Sequence, residues 1–403
     1  MTAPTLDAEP ACPGPAAEPA SPTDPDPSIH AERRSFDSIP RATWDAMVAR
    51  SPWATPFSSW AFHRAWWDGF GENAHEETLV VCSDTSGDRG DPIAIVPLMH
   101  RHEVEPSDAL THTTIRHNRP RGLTPVPATA KAIFFGASYH ADYATVLAAP
   151  EHVRSAAAAV ADYLAGPAGR DWDAVDLRRL RCADPAGDAL AAALGTREMA
   201  NGWTLNVDRE DVCPVVTLPD VDDIELYLAT LGKKERHEVR RKMRRAEAVG
   251  EVRLRESTDP LGELDVFIDL HQKRWGDDGL FPPTKGGDQS RVFIRRLFEL
   301  FGPDGGLGLT FLTVGSQTIA AGAHFETDDN LLFYNAGIDP DARALSPGVV
   351  MTYAYIKRAM ERGLRRFDFL RGDEPYKYEW GAVDEPVLRI LVRKTDAGAG
   401  AVE

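Results

Sequence analysis

At 403 residues the chain is longer than one hydrophobic core usually serves, so two domains of ordinary size plus a tail are expected. With 43% hydrophobic and 27% charged residues it has the composition of a globular protein, which excludes the disordered and fibrous classes. A net charge of −17 excludes general affinity for nucleic acid, so no DNA partner is expected and any anionic ligand must meet a local basic patch. No apolar run reaches the roughly 20 residues of a membrane helix, so no transmembrane segment is expected. Met1 to Pro27 lacks a signal peptide's basic and apolar regions, which points to a cytoplasmic address. Cys12, Cys82, Cys182 and Cys213 stand far apart with no CxxC pair and read as reduced thiols.

The Pro/Ala-rich stretch 1–33 reads as a disordered tail, because it cannot bury enough apolar surface to offset the entropy of ordering. Helices are predicted over Arg41 to Arg50, where Pro40 and Thr43 supply start signals, and over Ser58 to Phe70. Thr78 to Cys82 and Ile93 to Met99 form a hairpin pattern around a Gly/Asp-rich turn. Tyr143 to Leu147 reads as a strand, Glu151 to Leu164 as a helix, and Ala174 to Leu180 as a strand holding Asp176.

The second half repeats this order. Leu309 to Val314 and Thr318 to Phe325 form a hairpin, followed by a strand at Leu331 to Ala336, a helix at Pro347 to Arg362 and a strand at Arg366 to Leu370 holding Asp368. "DPIAIVPLMH" answers "SQTIAAGAHF", and "AVDLRRL" answers "RFDFLRG", so duplication is the simplest account. Between the halves lie a helical start to Ile224–Arg255 and helices at Gly262 to Trp275 and Asp288 to Phe301, the last two joined by a Gly/Pro-rich loop. The boundaries expected are 34–212 for an N-terminal domain, 213–395 for a C-terminal domain, and 396–403 for a flexible tail.

The chemistry concentrates in the second half. Ser346 is placed to cap the helix that Pro347 opens, and a capped, Gly-containing helix start after a strand offers free amides and a positive dipole end, which is an anion site. Lys233 to Arg245 crowds eight basic residues over an apolar stripe of Val239, Met243, Ala246 and Val249. Such a helix suits a CoA phosphate, a nucleotide-linked or lipid-linked acceptor, or an aminoacyl-tRNA. His271 and Trp275 share one helix face beside the Gly/Pro-rich loop and are candidate acceptor-binding residues. His100, His102, His112 and His117 have no familiar metal spacing, so no metal is expected.

Arg343, Ala344, Leu345, Ser346, Pro347 and Gly348 resemble the Q/R-x-x-G-x-G/A motif of the GNAT superfamily, with Ser346 where the pattern has its first Gly and Pro347 removing one amide. "FDFLRGDEPYKYEWG", together with SPG, resembles the CelD-like or BioF2-like acetyltransferase branch, whose relatives include the FemAB aminoacyltransferases. The resemblance runs over about Arg34 to Lys394 and is strongest from Leu231. It implies an α/β fold with a mixed sheet, two GNAT domains in tandem, and an acyltransferase of the N-acetyltransferase type. It further implies acetyl-CoA or another acyl-CoA as donor, held by Arg343, Ser346, Pro347 and Gly348, and no metal. The implied acceptor is a small molecule or an envelope precursor, in polysaccharide or cell-envelope synthesis. In this family the strand before the helix, here about Tyr334 to Gly337, polarises the thioester carbonyl, and a Tyr after the next strand protonates the thiolate. Tyr376 holds that position, with Tyr378 second, and Asp373 and Lys377 complete the catalytic candidates; Asp368, His324 and Glu326 are further candidates for the base. The alternatives are FemAB-like transfer from aminoacyl-tRNA and a binding module without turnover.

Overall fold

The computed structural model describes residues 28–84, 90–101, 114–115, 119–120, 126, 130–302 and 305–394. Strands β1 (Ile29–Arg33), β3 (Leu79–Ser83), β4 (Asp91–Val96) and β9 (Leu147–Ala148) form a four-stranded sheet in the order β1-β3-β4-β9. β1 thus turns the last residues of the expected tail into ordered structure, because Ile29–Arg33 pairs along the open edge of β3. The remainder of that tail, and the expected tail at 396–403, lie outside the described residues.

A second sheet of eleven strands crosses both halves. Its order is β12 (Val252–Glu256), β13 (Leu307–Val314), β14 (Gln317–Glu326), β15 (Asn330–Ile338), β16 (Arg366–Asp368), β11 (Trp203–Thr217), β17 (Val383–Lys394), β10 (Ala174–Arg181), β8 (Ala132–Phe135), β5 (Leu98–Arg101) and β2 (Ala74–Glu76). A two-stranded β6–β7 ribbon lies apart at Thr114–Ile115 and Arg119–Pro120. The join is made by β11 and β17, antiparallel along nearly their whole length. β17 then pairs with β10 of the first half, while the end of β11 pairs with β16 of the second. β11 therefore runs through the 212/213 boundary drawn from the sequence.

Helices cover this sheet: α1 (Arg41–Arg50), α2 (Trp60–Phe70), α3 (Val153–Ala165), α4 (Pro185–Gly195), α5 (Glu198–Asn201), α6 (Ile224–Thr230), α7 (Lys233–Glu247), α8 (Pro260–Trp275), α9 (Lys285–Phe301), α10 (Pro347–Glu361) and α11 (Pro375–Tyr378). Their starts are locally specified. Ser59 accepts from Phe62 N at 3.2 Å, Asp259 from Gly262 N at 3.1 Å with Pro260 behind it, and Thr284 from Gly287 N at 3.3 Å. The halves share a core rather than touching across a wet seam, since Phe57 and Phe62 from the first half pack against Phe293, Phe325 and Tyr334 from the second.

Two strands read from sequence differ in the structure. Ile93 to Met99 breaks at Pro97 into β4 and β5, which belong to different sheets; Pro cannot donate to a ladder, so the chain changes sheet there. Tyr143 to Leu147 is mostly irregular, with a single bridge at Ala144, and the strand parallel to β10 is instead β8. Cys82 and Cys213 are buried free thiols, whereas Cys182 is disulfide-bonded, a departure from the reduced state expected for all four.

Candidate functional site

The site begins as a gap between two strands. β15 and β16 run parallel and pair only at Asn330–Arg366, Leu331–Phe367 and Leu332–Asp368. Beyond that point β15 continues to Ile338, held on its other edge by β14 through a bulge. The chain after β16 turns away to β11 instead, Phe369 N donating to Pro214 O and Gly372 N to Val212 O, each at 3.0 Å. Leu370 (φ 57°) and Gly372 (φ 108°) make that turn. Residues 333–338 are thus left with an edge that β16 does not cover, the backbone equivalent of an open slot.

The slot ends at the start of α10. Ser346 was expected to cap this helix with its side chain; it does not. Its backbone is left-handed (φ 54°, ψ 54°), and Oγ accepts from the Arg245 guanidinium at 2.5 Å. Ser346 thereby adopts the conformation for which the GNAT motif uses Gly, at the cost of roughly 1 kcal/mol of backbone strain. Pro347 is buried, Gly348 half-buried and Arg343 exposed. Lys273 of α8 binds Asp339 at 2.5 Å and Asp341 at 2.7 Å, so the acids of this loop are neutralised and the loop is pinned from one side by Lys273 and from the other by Arg245. An anion meets here the Gly348 amide, an adjoining guanidinium and no uncompensated carboxylate, since Pro347 has no N–H and Ser346 N and Val349 N donate to Arg343 O and Ser346 O.

The basic helix α7 flanks the same loop. Val239, Met243 and Ala246 are buried as its stripe required, but Val249 lies past the helix end and is 67% exposed. Arg240, Arg241 and Lys242 pair with Glu225 or Glu238, which uses up the middle of the positive face. Lys233, Lys234 and Arg244 remain exposed.

The candidate proton-transfer residues separate sharply. His324 is buried against Gly308 and bonded to Tyr355 Oη at 3.2 Å, and burial lowers its pKa to about 3, so it stays neutral and is no accessible base. Glu326 is held by Arg358 and Arg362. Asp368 is fully buried, accepting from Tyr143 Oη and Leu370 N at 2.8 Å each, and burial raises its pKa to about 6. Tyr378 donates to Asp384 at 2.7 Å. Lys377, expected as catalytic, is 3% exposed, and its ammonium donates to the carbonyls of Leu370, Arg371 and Gly372 at 3.1, 3.0 and 2.9 Å while pairing with Glu374. It clamps the turn that opens the slot, and its protons are committed there. Asp373 differs: it is 7% exposed, its Oδ2 has no partner, and burial raises its pKa. Tyr376 is 42% exposed, edge-on to Phe369, with Arg274 of α8 acting electrostatically on its hydroxyl.

His271 and Trp275 part company despite their spacing. His271 is buried against Phe281, its pKa lowered to about 4 by burial, and its backbone lies so close to Gly337 that no Cβ would fit there. Trp275 is 45% exposed under the Arg274 guanidinium. A small apolar cavity opens beside them at Phe267, Phe281, Phe293, Tyr334 and Asn335, on the α8–α9 face of the open β15 segment. His140 also lines it, a residue that the sequence reading passed over because its place comes from the other half of the chain. Of the four histidines weighed for a metal, His102, His112 and His117 lie outside the described residues, and His100 is buried beside Glu77 and stacked on His75. Among the described residues no three ligating side chains gather for a metal, and no helix is long and apolar enough to cross a membrane.

With this geometry in hand, comparison with known proteins is informative. Residues 233–378 match the family model of the acetyltransferase (GNAT) domain, so the match opens at α7 and closes at α11, spanning the slot and its loop. The chain has a tandem GNAT fold, a mixed α/β architecture repeated in two halves. Similar solved structures include a protein of unknown function from Bacteroides thetaiotaomicron VPI-5482 (12% identity, 91% of this chain, 100% of that one, TM-score 0.52) and FemX (11%, 89%, 96%, 0.52). A third is the C-terminal domain of a candidate lysylphosphatidylglycerol synthetase from Agrobacterium fabrum (12%, 91%, 94%, 0.50). At such identities the likeness is one of fold. No curated protein matches the sequence.

Proposed function

We propose that this protein transfers an acyl group from acyl-CoA to an amine. The observation that carries the reading is the slot between β15 and the turn after β16, closed at one end by the Ser346 loop. In this reading the diphosphate lies on the Gly348 amide and Arg245, the pantetheine arm runs along residues 333–338, and a peptide N–H between Tyr334 and Gly337 polarises the thioester carbonyl. Asp373 takes the proton of the acceptor and Tyr376 supplies one to the departing thiolate. Arg343, Pro347 and Gly348 complete the donor site by backbone shape. His271 and Trp275 border the acceptor entrance. Lys377 acts by holding the turn. A cytoplasmic setting and a place in the CelD-like or BioF2-like branch, acting on polysaccharide or envelope precursors, fit this reading.

A second reading, aminoacyl transfer from tRNA in the manner of FemAB proteins, is favoured by one observation: Lys233, Lys234 and Arg244 on α7 are exposed and outside the helix's carboxylate pairs. Calorimetry with acetyl-CoA, longer acyl-CoAs and aminoacyl-tRNA decides between them. Acyl-CoA affinity that is lost in Arg245→Ala supports the first; affinity for aminoacyl-tRNA alone, falling steeply with salt, replaces it with the second. Binding of none favours a module without turnover. Tyr376→Phe should lower turnover on the order of a hundredfold with donor affinity kept, and unchanged turnover removes Tyr376 as the acid.

A further inference from the structure

Strand β15 changes its facing in the middle of the uncovered segment. Leu332 and Tyr334 turn to the core under α8 and α9, while Leu331 and Phe333 turn to the core under α10, as the alternation of a strand requires. Asn335 then takes the α8–α9 side again instead of switching, and Ala336 and Ile338 return to the α10 side. The cause is a bulge. Ala323 faces Asn335 and Phe325 faces Leu332, so Phe333 and Tyr334 together oppose the single residue His324. Two successive side chains of the slot's edge therefore border the apolar cavity against α8 and α9, where a regular strand would supply one.

The rest of the cavity wall is fixed in place. Phe267, Phe281, Phe293 and Ile294 are buried. Phe281 comes from the Gly/Pro-rich loop, yet its backbone is tied to both helices: its N–H donates to Gln272 Oε1 at 2.9 Å and its carbonyl accepts from the Arg291 guanidinium at 2.5 Å. His140 stacks on Phe293 with ring centroids 4.3 Å apart, and its carbonyl accepts from Tyr334 Oη at 3.1 Å. Ser290 Oγ donates to Gly286 O at 3.0 Å. Both hydroxyls that border the space are thus engaged elsewhere, and what they leave suits an apolar group. The free volume is about 10 Å³, room for one water-sized group. We propose that this cavity receives the acyl group of the donor, and that Phe281, Phe293 and Ile294 set the length of that group by admitting a methyl and refusing a longer tail. The inference rests on the acyl-transfer reading: a thioester carbonyl held by a peptide N–H between Tyr334 and Gly337 carries its first acyl carbon beside Tyr334 and Asn335. An acetyl methyl fills the space. A butyryl or hexanoyl tail must push a buried ring out of a close-packed core or turn back into water.

The test uses the full chain without an acceptor, so that the fit of an acceptor plays no part. Calorimetry with CoA, acetyl-CoA, propionyl-CoA, butyryl-CoA and hexanoyl-CoA should place acetyl-CoA tightest, with Kd rising on the order of tenfold by butyryl-CoA. Ile294→Ala enlarges the cavity and should reverse that order, each methylene it admits gaining about fourfold in affinity. Phe281→Leu is a milder enlargement and should shift the preference in the same sense. In the wild-type complex with acetyl-CoA, the acetyl methyl protons should show nuclear Overhauser contacts to phenylalanine ring protons, a readout that needs no variant. Butyryl-CoA or hexanoyl-CoA bound as tightly as acetyl-CoA, an acetyl methyl without aromatic contacts, or folded variants that keep the wild-type order overturn the proposal and leave acyl transfer standing. No affinity for CoA or for any thioester overturns both.

Discussion

The two halves carry the same gap and treat it differently. In the first half β8 and β10 pair in parallel at Ala132–Ala174 to Phe134–Asp176, as β15 and β16 do at Asn330–Arg366 to Leu332–Asp368. Past that point the first half fills its own slot: Ala144 bridges to Leu180, with Ala144 N donating to Arg179 O at 2.9 Å. The second half leaves the slot open, and Lys377 holds the turn that keeps it so. The matching aspartates follow the same division. Asp176 is locked by Arg389 at 2.6 and 2.8 Å and by Arg178 at 3.1 Å, whereas Asp368 has only a phenol and an amide. One repeat closes its slot and pairs its aspartate with guanidiniums; the other keeps an open edge and an aspartate held by a phenol and an amide.

The hardest way to break this comparison is at Asp176. Burial raises its pKa, but the two guanidiniums outweigh burial and hold it below the usual carboxylate range. Asp176→Asn removes the carboxylate that the two buried guanidiniums share and should cost about 3–5 kcal/mol in urea unfolding. Asp368→Asn keeps the bond from Leu370 N and turns the other around, its amide N–H donating to Tyr143 Oη, and should cost under about 1 kcal/mol. Equal losses would mean that the halves are not energetically distinct.

A smaller effect separates the halves by pH. Asp211, with a folded pKa of about 7 against an unfolded value near 4, binds a proton more tightly when folded. Stability from this group is therefore full below about pH 4, falls as pH rises, and is lost by about pH 7 to 8. Asp211→Asn should be more stable than wild type at pH 8 by about 2–4 kcal/mol, and the difference should vanish near pH 4. Asp176, whose pKa is lowered, runs the other way, losing its contribution as pH falls through the acidic range. A wild-type curve parallel to that of Asp211→Asn would remove the buried carboxyl from the account.

Much of the open half was legible in the sequence. Apolar alternation and the Ser-Pro and Gly signals give β13 to β15 and α10 within a few residues, because local chemistry sets those elements. The seam was not. β11 holds Asp208, Arg209, Glu210, Asp211 and Pro214, and β17 holds Asp384, Glu385 and Pro386, so neither shows a strand's clean alternation; they are strands because they find each other across about 180 residues. The sequence therefore marks Asp373, which sits in a recognisable motif, and not the buried Asp211, which comes beside it only through long-range pairing. Lys377 is the complementary case: residue type and position pointed to chemistry, and the structure buries its ammonium under three carbonyls.

The smallest effect probes Ser346, one of two non-glycine residues that are left-handed among the described residues of the open half, the other being Leu370. Ser346 spends left-handed strain in the loop where the GNAT pattern uses Gly, and its hydroxyl recovers part of that through an exposed bond to Arg245. Ser346→Gly removes the strain and should stabilise the fold by about 0.5–1 kcal/mol in urea unfolding, with acyl-CoA affinity kept, since the loop amides keep their places. Ser346→Val cannot relax the same way: a β-branched side chain resists positive φ, so it should lose both stability and donor affinity. If Ser346→Gly is instead destabilising, the Arg245 bond outweighs the strain, and the loop is held chiefly by the basic helix rather than by its own backbone.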